Sequence, residues 1–162
     1  MPDHIDRILE EWRRERPDMD MAALGFVGRL LRTADLAHAA LAEGLAGHGL
    51  QPGWFDLLAA LRRAGPPYER NPTQLMRATM LSSGGMTKRL DRLVEAGLVE
   101  RRPDPADRRG VLVRLSPRGK AVVDRAVETH VANEERLLRS LSESDRRALD
   151  GLLRTLLAGL EL

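Results

Sequence analysis

Apolar residues recur along most of this chain at three- and four-residue spacing, the period of a helix with one buried face. Ile5, Ile8, Leu9 and Trp12 define a first helix over Asp3–Arg16, with Asp3 as its cap and Pro17 ending it. Leu24, Val27, Leu31, Ala34, Leu41 and Leu45 form the expected buried side of a long second helix. It starts at Asp18 or Asp20 and reaches about His48, where Gly44, Gly47 and Gly49 end it. A third helix runs from Gln51 to Ala64 with Trp54, Leu57, Leu58 and Leu61 as core, and Gly65-Pro66-Pro67 stops it. Near the C-terminus, Ser116 caps a helix with Pro117 in its first turn that runs to about Ser140. Ser142 starts the last helix, whose Leu149, Leu152, Leu153, Leu156, Leu157 and Leu160 make one continuous stripe.

The middle of the chain has a different rhythm. Asn71 caps a short helix with Pro72 at its first position, ending near Met80. Ser82 or Ser83 then caps another helix that runs to Gly97. Two short helices joined by a tight polar turn read as a helix-turn-helix. Leu98–Arg102 and Val111–Leu115 follow as strands around a charged loop containing Gly and Pro, and Tyr68-Glu69-Arg70 is a candidate third strand. The fold class is therefore mainly α with a small β-hairpin: a winged helix-turn-helix flanked by terminal helices.

Charge sharpens this picture. Residues 70–120 hold twelve Lys and Arg against five Asp and Glu, a local +7, while the remainder carries −5 within the net +2 of the chain. A basic block on a helix sized for a DNA groove is the electrostatic footprint of a DNA binder. In the second short helix Met86, Leu90, Leu93 and Val94 share one stripe; Gly84, Lys88, Asp91, Arg92 and Glu95 lie opposite, with Thr87 and Arg89 on the flanks. Ser82, Ser83, Thr87, Lys88 and Arg92 are the candidate DNA contacts here. Gly84 and Gly85 read either as close backbone approach to a phosphate or as a turn-like helix start. Arg108 and Arg109, at or beside the hairpin tip, suit a narrow minor groove, and Asp107 is expected to fold the tip.

Other chemistries fall away. There is no cysteine, so neither disulfides nor thiol chemistry can operate. His4, His38, His48 and His130 have no metal-ligand spacing, and no cofactor motif, phosphate loop or nucleophile elbow is found. An enzyme is not expected. No apolar run of about 18 residues exists, and the charged N-terminus lacks a signal segment, so a cytoplasmic protein without membrane contact is expected. A helical protein–protein module without DNA binding is the competing class.

The run from Ser82-Ser83-Gly84-Gly85-Met86-Thr87-Lys88-Arg89-Leu90-Asp91-Arg92-Leu93 through Gly97-Leu98-Val99-Glu100-Arg101-Arg102 resembles the MarR family of winged-helix transcription regulators, and so do Asp104-Pro105-Ala106-Asp107-Arg108-Arg109-Gly110 and Leu115-Ser116-Pro117-Arg118-Gly119-Lys120. The resemblance implies a homodimer that binds a pseudo-palindromic operator on double-stranded DNA, as a repressor released by a small ligand. It divides the chain into 1–50 (dimerisation and a pocket lid), 51–118 (the DNA-binding lobe) and 119–162 (dimerisation helices). Trp12 with Asp56, Arg63 and an arginine of the recognition helix is similar to the urate-responsive branch of that family. The resemblance then implies that Trp12 stacks on a purine anion, Arg63 pairs with it, Asp56 shifts, and Arg89 (or Arg92) relays the shift. Urate and xanthine are the implied effectors; a phenolic or aromatic carboxylate suits the same residues. Trp12 packing and an Asp56 and Arg63 in ordinary salt bridges is the plain alternative.

Overall fold

The structure is a computed structural model and describes residues 2–79 and 85–161, together with the backbone but not the side chains of Arg108 and Arg109. Its contacts divide the chain into two units, Met1–Ala40 and Leu41–Leu162.

In the first unit α1 (His4–Glu15) opens with a capping box: the Asp6 N–H donates to Asp3 at 2.9 Å, and the Asp3 N–H donates back to Asp6 at 2.8 Å. The Arg29 guanidinium bridges both carboxylates, and its partnership holds the Asp3 carboxyl below its ordinary range. Ile5 and Leu9 are buried with Met21. They face α2 (Ala22–Ala46) at Gly25 and Gly28, where an added Cβ would lie 3.0 Å from Leu9 and 3.3 Å from Ile5. This corrects the expected burial of Leu24, Val27 and Leu31, all of which are exposed. The face toward α1 is built from glycines, which let the helices approach, so the larger side chains point outward. Trp12 is exposed as well, at 44%.

The second unit contains α3 (Pro52–Arg63), β1 (Glu69–Arg70), α4 (Pro72–Ala78), α5 (Met86–Glu95), β2 (Val99–Asp104), β3 (Asp107–Leu115), α6 (Pro117–Leu138) and α7 (Glu143–Leu160). Three side-chain caps fix helix starts: Asn71 with Gln74 for α4, Ser116 for α6, and Ser142 with Asp145 for α7. The core joins Leu57, Leu58 and Leu61 of α3 to Leu75, Leu93, Val99, Val113 and Val123, all essentially sealed from solvent. The sheet is antiparallel in the order β1-β3-β2, with Glu69 opposite Arg114 and Val99 opposite Leu115.

Two expectations shift. The hairpin strands are longer than the sequence implies, and the loop between them shrinks to Pro105 and Ala106. The Asp104 carboxylate accepts from the Ala106 N–H at 2.8 Å and closes this turn. Pro103 is tolerated because β2 is an edge strand. The start of α5 is the other change. Its cap is Gly85, left-handed at φ +83°, with no side-chain cap bond, so Gly85 is a turn residue rather than part of the helix face. Ser82, Ser83 and Gly84 lie outside the described residues.

Candidate nucleic-acid interface

The sequence of α5 separates its faces cleanly. Met86, Leu90 and Leu93 enter the core, which orients the helix and leaves Thr87, Lys88 and Arg92 exposed. Arg92 is partnered by Glu95 at 3.0 Å, an exposed pair of small energetic weight. Lys88 adds a second exposed cation to this face. Arg101 of β2 reaches Asp91 of α5 at 2.7 Å, tying the wing to the helix.

Arg89 is half-buried and curls toward the helix start, its guanidinium 3.3 Å from where a Gly85 Cβ would stand. Gly85 thus supplies both the left-handed turn and the room for this side chain. A cleft of about 370 Å³ opens here, lined by Gln51, Trp54, Gly85, Lys88, Arg89 and Arg92. Three cations, an amide and an indole form a surface suited to a phosphate or a planar anion. Trp54 was expected only in the core and is half-buried at the cleft edge. Helical periodicity places it beside Leu57 and Leu58 but cannot show that its ring also borders α5.

The wing pairs β2 with β3, and Arg108 and Arg109 follow its turn directly at the start of β3; their side chains lie outside the described residues. A Cβ on Gly110 would meet Asp104 at 2.9 Å and Asp107 at 3.0 Å, so the glycine lets the tip close.

The residues expected at a ligand site are distributed as follows. Trp12 belongs to the first unit and Asp56, Arg63 and Arg89 to the second. Arg63 is exposed, and one of its terminal nitrogens donates to the Ala78 carbonyl at 2.9 Å, at the end of α4. Asp56 is half-buried on α3. Neither borders the cleft that contains Arg89. Arg62, which was not singled out in the sequence, pairs with Asp124 at 2.6 Å; Lys120 meets the same carboxylate at 2.7 Å. Both cations lie over the Tyr68 ring, at 5.1 and 5.7 Å. Lys120 and Arg62 together hold the Asp124 carboxyl below its usual range. Among the described residues no group of His, Cys, Asp and Glu could hold a metal ion, and no helix is long and apolar enough to cross a membrane.

A short helix pair followed by a β-hairpin wing that pairs with the preceding β1, with one cationic helix face left outside the core, defines a winged helix-turn-helix protein. The model of the MarR family matches residues 48–110. The HTH-type transcriptional regulator PecS of Dickeya dadantii (strain 3937) is 40% identical over 149 residues, covering 92% of this chain and 90% of that protein. The chain belongs to the MarR family of transcription regulators. It superposes on a mutant MarR from E. coli complexed with operator DNA with a TM-score of 0.74 at 29% identity, covering 86% of this chain and 99% of that one. A solved structure of Bordetella bronchiseptica BpsR, whose DNA binding is described as regulated by 6-hydroxynicotinic acid, matches with a TM-score of 0.72 at 30% identity, over 80% of this chain and 91% of that one.

Proposed function

We propose that two copies of this chain bind a pseudo-palindromic operator as a repressor, and that a small aromatic anion such as urate or xanthine releases them. The observation that carries the DNA reading is the division of α5: one face locked in the core, the other presenting Thr87, Lys88 and Arg92. Ser82, Ser83, Arg108 and Arg109 complete the proposed contacts from the turn and the wing. The likeness to MarR bound to operator DNA supports the same orientation.

Two subunits are needed because one short helix reads too few bases, whereas half-sites about one DNA turn apart multiply specificity. The α7 stripe supports this, since that helix has no buried residue in the single chain. Residues 1–50 and 119–162 are proposed to build the dimer, and 51–118 the DNA-binding lobe.

For the effector, Arg63 would pair with the anion and Asp56 would respond to its charge. Arg89, standing at the start of α5, would pass the change to the DNA face. The resemblance adds Trp12 as the stacking ring. Release requires that the anion bind the DNA-incompetent arrangement more tightly. BpsR favours a second reading, an aromatic carboxylate effector in place of a purine.

The test is fluorescence anisotropy of operator DNA titrated with urate, xanthine, salicylate and 6-hydroxynicotinate. Urate is expected to release wild type and to lose potency in Arg63→Ala and Trp12→Ala. Undiminished release of Arg63→Ala by urate would remove the proposed site, and release only by the carboxylates would select the second reading.

A further inference from the structure

We propose that Ser116 and Arg118 are positioning residues: they clamp the C-terminal end of α5 to the first turn of α6 and thereby set the half-site spacing that the dimer reads. The proposal rests on α5 being the DNA-reading helix of a two-subunit regulator.

The end of α5 is closed by Gly97, left-handed at φ +67°, with the Leu98 N–H donating to the Leu93 carbonyl at 3.0 Å and the Gly97 N–H to Val94 at 2.9 Å. This turn leaves the Ala96, Gly97 and Leu98 carbonyls directed away from α5, and α6 meets all three. The Ser116 hydroxyl donates to Gly97 at 2.7 Å, the Ser116 N–H to Leu98 at 3.1 Å, and the Arg118 guanidinium to Ala96 at 3.0 Å. The same Ser116 oxygen accepts from the Gly119 N–H at 2.9 Å, which is the cap of α6. One buried hydroxyl thus ends one helix and begins the other. No side chain separates them at Gly119, where a Cβ would overlap the Leu98 carbonyl. The Arg118 charge also stands at the negative end of the α5 dipole.

Leu93, Leu98, Val99 and Leu115 already fill the apolar space at this junction. The polar contacts therefore fix direction more than they add core. Direction matters because of leverage. At 22 residues α6 is about 33 Å long, so a tilt of about 6° at the clamp displaces its far end by about one base-pair rise of 3.4 Å. Beyond α6 lies α7, with its uncovered leucine stripe.

The experiment uses the full chain and a duplex selected by wild type from a random library, with its half-sites kept at the selected spacing or moved by one base pair either way. Wild type is expected to prefer the selected spacing. Arg118→Ala should narrow that preference by about 3- to 10-fold, the worth of one hydrogen bond, with the salt dependence of binding unchanged and the melting temperature lowered by no more than about 2–4 °C. Ser116→Ala should act in the same direction, and Arg118→Lys and Ser116→Thr should restore the preference. Should Ser116→Ala fail to fold, the exposed Arg118 carries the test alone. An unchanged spacing preference in Arg118→Ala overturns the proposal. So does a fall of about 0.9 in the salt slope, which marks a direct phosphate contact instead. Wild type that binds no duplex, or binds as a monomer, removes the underlying reading itself, and is recognised before any variant is compared.

Discussion

Replacing Leu152 by Asp tests the proposed assembly most sharply. Leu152 is 70% exposed in the single chain, on a helix without one buried residue, so the change has little to disturb within the subunit. Fully burying a leucine is worth about 1.5–3 kcal/mol, and covering 70% of one recovers about 1–2 kcal/mol. A two-fold interface contains the residue twice, so the loss is about 2–4 kcal/mol, which weakens association roughly 30- to 1000-fold. Desolvating two carboxylates in an apolar seam adds to this loss. Sedimentation across a concentration series reads it directly: wild type should remain dimeric where Leu152→Asp dissociates, with helical circular dichroism retained in the variant. Operator affinity should fall with it, because half-sites are then read singly. If Leu152→Asp associates as tightly as wild type, α7 is not the seam, and the dimer must be built elsewhere.

Other consequences are equally direct. Lys88→Ala should weaken binding to all duplexes alike and lower the slope of log affinity against log salt by about 0.9, measured by anisotropy at graded salt. Gly119→Ala should lower thermal stability by about 1–3 kcal/mol in a denaturation series, since its Cβ meets the Leu98 carbonyl and the junction must open. Asp124 has its carboxyl pulled below the usual range by Lys120 and Arg62, so its contribution is present above the ordinary aspartate value and fades as pH falls through the lowered one. Asp124→Asn should therefore be less stable than wild type at neutral pH, with the gap closing in acid; a gap independent of pH contradicts the ion-pair account.

The legible parts of this fold were those written locally. Asn71-Pro72, Ser116-Pro117 and Ser142 each mark a helix start with a side chain that can cap it, and α4, α6 and α7 begin where these residues stand. At the start of α5 the two serines mimic a cap, whereas the chain uses a left-handed backbone angle at Gly85, the turn-like helix start that was one of the two readings of that glycine. The outer side of α2 misled for a different reason. A periodic stripe shows that residues share a face, not which neighbour covers it, and the glycines that meet α1 add nothing to an apolar pattern. The wing extended beyond the expected strands into Pro103, Asp104, Asp107 and Arg108 because ladder hydrogen bonds need no apolar side chain. Of the candidate DNA contacts, α5 could be read from its stripe alone. The links that orient it, Asp91 to Arg101 and Ala96 to Arg118, are ten and 22 residues apart and invisible to periodicity.

The central claim is that paired cationic helices and wings grip a duplex. Stoichiometry and salt dependence of binding, measured together on a duplex carrying the selected operator, test it most directly. The account predicts two subunits per operator and affinity that falls steeply as salt rises, more shallowly when Lys88, Arg108 and Arg109 are replaced by alanine. One subunit per duplex, or affinity indifferent to salt and to those three replacements, would contradict it.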